Sequence, residues 1–414
     1  MMKVALYNHT SVVSGAEMNL LLLCKYAAEI RPIVFAPDGD LLGRARAAGV
    51  DVQPIPDCKA RLTGNPLHLL AGMLRMLRSG WSFARLVRQT DVELIHANSL
   101  RAGMMASLFQ WLHRRPVVWH VQDNPPRGWI GAGIALLARA AAKALIVISE
   151  AVAGGFEGQG LASKLHLVHN GVEVNEVPSA ERLRFRETVR SGLQTPASSP
   201  VLLMMGQIAP WKRQEDAVRV TARLADQGHD VYLWIVGEPK FREENHRYSD
   251  YLHQLVKELK LEDRVRFTGF REDVQEICAS ADLLFLCSDK EPFGRVVIEA
   301  MAQAIPVVAT RDGGVPEIIE HGVSGLLYDT ADLDGLYSAA SSLLQYPSLR
   351  ESMGKMGQLR VEERFTIHTM ASQIEAVYKR VLAAEDTGTK RQPDHAAYRS
   401  DSRLPGLEKK RAEL

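Results

Sequence analysis

At 414 residues, the chain is long enough for two or three domains of roughly 100 to 200 residues each, which excludes a small module. Its 50 lysines and arginines almost balance 49 aspartates and glutamates, so there is no global basic field of the kind non-specific nucleic-acid binding needs, and any anion site must be local. The cysteines, Cys24, Cys58, Cys278 and Cys287, form no close pair and have no metal-like spacing, which predicts reduced thiols in a cytosolic protein and no zinc site.

The opening "MMKVALYNHT" reads as a strand and lacks an apolar segment of signal-peptide length; no later stretch approaches about 20 uninterrupted apolar residues, so the protein is expected to be cytoplasmic, at most peripheral to a membrane. Short β-rich runs then alternate with longer helical patterns: "KVALYN", "RPIVFA", "VELIHA", "PVVWHV" and "ALIVIS". "PDGD", with Asp38 and Asp40, has the Asp-x-Asp spacing of a metal site, but Pro37 and Gly39 mark it as a turn after the second strand. "NPLHLLAGMLRMLRSGWSFARLVRQ" places Arg75, Arg78, Arg85 and Arg88 among leucines, Trp81 and Phe83, the pattern of a basic amphipathic helix. Its ordinary explanation is core packing on one side and solvated arginines on the other; the second is a contact of residues 66–89 with an anionic membrane surface.

A polar stretch after Asn170, rich in Pro and Ser at its end, separates this alternation from a second one: "PVLLMMG", "DVYLWIVG", "RVRFTGF", "ADLLFLC" and "IPVVAT". Continuous apolar strands alternating with helices are the signature of parallel sheets buried on both faces. The predicted organisation is α/β, two doubly wound Rossmann-like domains, 1–172 and 173–366, facing a central cleft, with a final helix, 367–384, returning to the first domain. Residues 385–414 are charged and too poor in large apolar side chains to offset their ordering entropy, which predicts a disordered tail.

Ligands of such sheets bind at the carboxyl ends of the strands. There, "CSDKEPFGRVVIEAMAQ" runs from a buried strand into a helix whose first backbone N–H groups suit an anion. Gly294 lets a phosphate approach closely, Glu291 precedes the helix, and Glu299 lies within it, where a carboxylate can accept two hydroxyl hydrogen bonds. The arrangement suits a nucleoside diphosphate carrying a polyhydroxylated group; a helix cap with a solvated glutamate is the plainer alternative.

This segment resembles the E-x7-E motif of the family 4 retaining glycosyltransferases, which have the two-domain GT-B fold, and the resemblance extends to residue 384. "MGQIAPWKRQEDAV" is similar to the family's Gly-Arg-x(4)-Lys-Gly loop, "FTGFREDVQEICASADLLFLCS" to its nucleotide-base region and "RDGGVPEIIEHGVSGLLYD" to the turn after the E-x7-E helix. In the first half, "TSVVSGAEMNLLLL" resembles its glycine loop, "IHANS" an acceptor-side strand end and "VVWHVQD" the strand of its active-site histidine.

The resemblance implies a metal-independent transferase, without a cofactor, that moves a hexose or similar sugar from a UDP- or GDP-linked donor to a glycan or lipid-linked acceptor. Catalysis would fall to His120, Lys212 and Glu291. Gly15, Gln207, Lys212, Arg213, Phe270, Glu291, Phe293, Gly294, Arg295, Val296 and Glu299 would bind the donor, with Lys212 on the diphosphate and Glu299 on the ribose. His96 and Asn98 would lie on the acceptor side. As a cation in a ligand cleft, Lys212 is expected to have little packing role. Gln207 stands where the family usually has Arg and carries no charge; either Arg213 or Arg295 supplies the second cation, or the transition-state charge is less well compensated and the enzyme is slower. A sugar-nucleotide epimerase on a similar frame and a non-catalytic sugar-nucleotide binder are the alternative readings.

Overall fold

The computed structural model describes residues 1–58, 66–175, 177–240 and 242–386. The described residues divide into two units, one of Met1–Gly171 together with the helix Ile367–Asp386, the other of Val172–Thr366.

In the first unit, β1 (Met2–Tyr7), β2 (Ile30–Pro37), β3 (Asp51–Ile55), β4 (Leu94–Ala97), β5 (Val117–Val121), β6 (Ala142–Val147) and β7 (Leu165–Leu167) form one sheet. Their order is 3-2-1-4-5-6-7 and every pairing is parallel. The second unit repeats the plan with β8 (Val201–Met205), β9 (Tyr232–Val236), β10 (Val265–Gly269), β11 (Leu283–Leu286), β12 (Val307–Thr310) and β13 (Leu326–Tyr328), in the order 10-9-8-11-12-13. Each is a doubly wound sheet, and the strand order reverses beside β1 in one and β8 in the other.

The apolar runs explain the strands. Every residue of β4, β5, β8, β11 and β12 is buried, as a strand covered on both faces requires. The three strands not read from the sequence, β3, β7 and β13, all lie at sheet edges. β3 reads "DVQPI", is largely exposed and carries Pro54, which an edge tolerates because one side needs no ladder donor.

The final helix, Ile367–Asp386, belongs to the first unit. Ile374 and Tyr378 are fully buried against Leu20, Leu23 and Val34, each contributing roughly 1.5–3 kcal/mol of apolar burial. The Glu375 carboxylate accepts the Glu29 backbone N–H at 2.6 Å. The helix runs two residues into the stretch expected to be a tail; the rest of that tail lies outside the described residues.

The helix Pro66–Arg88 departs from expectation. Phe83, Ala84 and Val87 do pack inward, but Leu70, Met73, Leu74, Leu77 and Trp81 are exposed beside the arginines. The helix has a second apolar face, turned away from the core.

Candidate active site

In the second unit, the loops leaving β8 and β11, the neighbouring strands at the switch point, bring Lys212 and Glu291 together. Lys212 ends the short 3₁₀ turn Pro210–Lys212, and its Nζ donates to Glu291 Oε2 at 2.6 Å. Both residues are buried, at 8% and 7% exposure, and the ammonium lies 4.2 Å from the Trp211 ring centre. The expectation that Lys212 has little packing role is therefore corrected: a buried ion pair leaves an uncompensated charge when either partner is removed.

Glu291 is fixed through its backbone as well. Its carbonyl accepts the Gly314 N–H at 2.8 Å. Gly313 has φ +59°, and a Cβ there would stand 2.0 Å from the same carbonyl oxygen, so only glycine fits. Two residues beyond Phe293, Arg295 opens the helix Arg295–Ala302, with Gly294 as its N-cap at φ +105°. Phe293 packs into the core against Phe365 at 6.1 Å between ring centres, so it can offer a ligand only its backbone. One turn into the helix, the Glu299 carboxylate accepts from Arg295 Nε at 2.7 Å. Val296 is half-buried in the first turn.

Arg213 adopts a left-handed conformation, φ +52°, and both its Nε and Nη2 donate to Asp216 at 2.7 and 3.1 Å. That fork holds the guanidinium on its own helix's first turn and raises its pKa, so Arg213 is paired with Asp216 as Lys212 is with Glu291. Arg295, the other candidate, is held by Glu299. Gln207 Nε2 donates to the Lys240 carbonyl at 3.0 Å, and Lys240 in turn lies over the exposed Phe270 ring at 4.5 Å, which ties Gln207 and Phe270 into one corner.

In the first unit, the loops after β1, β4 and β5 build a directional hydrogen-bond chain. Gly15 opens the helix Gly15–Tyr26, and the Glu17 carboxylate accepts from Ser14 N and Oγ at 3.1 and 2.5 Å, a capping box. Glu17 is buried and also accepts from Asn8 Nδ2 at 3.1 Å. An ionised carboxylate only accepts, so it sets the orientation of the Asn8 amide. Asn8 Oδ1 then accepts from Asn98 Nδ2 at 3.1 Å, Asn98 Oδ1 from Gln122 Nε2 at 3.2 Å, and Gln122 Nε2 lies 3.2 Å from His120 Nδ1. The second donor of Asn98 reaches the Ala16 carbonyl at 3.1 Å.

The same His120 nitrogen lies 3.3 Å from His96 Nε2, and Tyr378 Oη lies 2.7 Å from His96 Nδ1. Gln122 Nε2 also lies 3.4 Å from His120 Nε2. Two tautomer sets fit these partners: Tyr378 donating to His96 Nδ1 and His96 Nε2–H to His120 Nδ1, or His96 Nδ1–H donating to Tyr378, His120 Nδ1–H to His96 Nε2 and Gln122 to His120 Nε2. Burial lowers the His96 pKa to about 4. Burial, then the neighbouring His96, drives that of His120 well below its ordinary value. His120 is therefore neutral near neutral pH. His96, expected on the acceptor side, is fully buried with its ring between His120 and Tyr378, and Asn98, 1% exposed, bonds Gln122; His120 itself is 2% exposed.

A model of the glycosyl transferases group 1 family matches residues 185–360, and a glycosyltransferase family 4 model matches residues 13–176. The two matches together support a family 4-type glycosyltransferase. N-acetyl-alpha-D-glucosaminyl L-malate synthase of Bacillus anthracis is 36% identical over 192 residues, 46% of this chain and 48% of that protein, so the chain spans about half the length of that relative. The lipopolysaccharide core biosynthesis glycosyltransferase LpsD of Rhizobium meliloti is 27% identical over 69% of this chain and 75% of its own. The crystal structure of Anabaena HepE in complex with UDP and glucose superposes with a TM-score of 0.79 at 26% identity, over 92% of this chain and 100% of that one.

The paired glutamates of the β11 loop and helix were legible in the sequence, as was the DGG turn that clamps the first of them. Asn8, Glu17, Gln122 and Tyr378 were not singled out. Glu17 had a signal, the Ser-x-x-Glu spacing of "SGAE". Tyr378 had none, because only the fold brings a residue of the last helix against β4.

Proposed function

We propose that this chain is a retaining, metal-independent glycosyltransferase. It moves a hexose-type sugar from a nucleotide-diphosphate donor to a glycan or lipid-linked acceptor. The observation that carries the reading is the buried Lys212–Glu291 pair beside the Gly294 helix start, at the switch point of the second sheet. Lys212 and the first N–H groups of that helix stabilise negative charge on a departing diphosphate, Glu299 accepts from ribose hydroxyls, and Glu291 contacts the sugar's hydroxyls while keeping Lys212 in place. In the first unit, His120 donates its Nε2–H to a sugar or acceptor oxygen.

The bond from the anomeric carbon to the diphosphate oxygen breaks, the acceptor oxygen bonds to that carbon on the same face, and the acceptor's proton passes to the departing phosphate oxygen. No carboxylate is needed as a nucleophile. The UDP and UDP-glucose bound by HepE support a uridine donor, and the free cysteines fit a reducing, cytoplasmic compartment.

Product analysis with UDP- and GDP-sugars tests the reading. Release of nucleotide diphosphate with retention at the anomeric carbon is expected. An altered sugar still attached to its nucleotide would mean epimerisation, and binding without turnover would mean a binder.

A further inference from the structure

We infer that the helix Pro66–Arg88 docks the protein on an anionic lipid surface. Its outward stripe, Leu70, Met73, Leu74, Leu77 and Trp81, follows the spacing of one helix face, and its members are 43% to 58% exposed. Trp111, 64% exposed on the short helix Gln110–His113, continues the stripe, with its ring centre 6.0 Å from that of Trp81.

Soluble surfaces scatter large apolar groups singly, whereas a contiguous stripe marks an interaction face. The charge on this face selects its partner. Arg75, Arg78, Arg85 and Arg88 are exposed on the same helix, and between Asp57 and Asp91 the sequence holds no acidic residue. Arg85 and Arg88 line a groove with Trp81, Gln89 and Leu112, where an aromatic wall and two guanidinium groups suit a lipid phosphate at headgroup depth.

Two tryptophans at the apolar edge, arginines beside them and no opposing carboxylates are the parts of an interfacial anchor. A second copy of this chain would set the arginines of each copy against those of the other at a two-fold contact. No described helix is long and apolar enough to cross a membrane, so the surface would hold the protein by lying on the bilayer.

The test sediments the full chain with vesicles of phosphatidylcholine alone and of phosphatidylcholine mixed with phosphatidylglycerol. It needs no sugar donor, so its outcome is independent of the transferase reading. Binding is expected only to the phosphatidylglycerol vesicles, with a blue shift of tryptophan emission and release as salt rises. Arg78→Gln and Arg85→Gln should each weaken binding about fivefold. Leu74→Ser with Leu77→Ser should abolish it with an unchanged melting temperature, because both side chains are exposed. Equal binding to both vesicle types, or to neither, would overturn the inference. So would a salt-insensitive dimer, seen by sedimentation velocity and broken by Leu77→Ser, which would give the stripe to a second copy.

Discussion

Lys212 Nζ sits 2.6 Å from Glu291 Oε2, in a pair whose side chains are 10% and 9% exposed. The two residues are far apart in the sequence, and each comes from a loop at the end of a neighbouring strand. Their pairing makes one unit of two roles that the sequence motifs present separately.

Lys212→Ala should therefore lower stability as well as turnover, by about 3 to 5 kcal/mol, since it strands a buried carboxylate. The double variant Lys212→Met/Glu291→Leu should recover part of that loss. Denaturant midpoints of the two singles and the double form a cycle, and simple additivity would show that the pair is not coupled.

Glu299→Ala should weaken nucleoside diphosphate binding about thirtyfold, the equivalent of losing about 2 kcal/mol of charge-assisted hydrogen bonding to ribose. Calorimetry with free UDP and GDP measures it. Unchanged affinity would return Glu299 to a structural partnership with Arg295.

Tyr378→Phe removes the hydroxyl bonded to His96 Nδ1, and with it the group that fixes the His96–His120 tautomers. Nitrogen NMR shifts of the two rings should change, and kcat should fall with little effect on the donor's KM. Normal kcat with the tautomers altered would separate His120 from the chemistry.

Acid should destabilise the first unit. His96 is held neutral in the fold, with its pKa lowered from 6.5 to about 4, so the unfolded chain binds the extra proton first. Stability is thus complete above the unfolded value and declines as pH falls from about 6.5 to about 4, by about 3 kcal/mol for this group. His120 acts in the same direction. Thermal melts across that window check the sign; a flat profile would mean that the buried pair is solvated.

Chelation should leave transfer intact, because Lys212 and helix N–H groups stabilise the leaving diphosphate. Asp40, half of the Asp-x-Asp alternative, forms an ion pair with Arg44 at 2.9 Å on its own helix. Loss of activity in EDTA, restored by manganese, would overturn this expectation.

By itself the sequence determined the ten strands that carry apolar runs, the two-sheet plan and the glycine-framed glutamate helix, since burial on both faces and left-handed backbone leave direct marks on residue choice. It did not show β3, β7 and β13, because β7 and β13 are three residues long and β3, DVQPI, is largely exposed and carries polar residues and a proline. Only the tertiary structure decided that Arg213 turns to Asp216, that His96 packs against His120, and that Leu70, Leu74 and Leu77 face outward. Those outcomes depend on which distant groups arrive at the same place. Tyr378 is 282 positions from His96 in sequence and 2.7 Å away in the fold, a distance set by how the last helix packs on the first sheet and not by any local pattern.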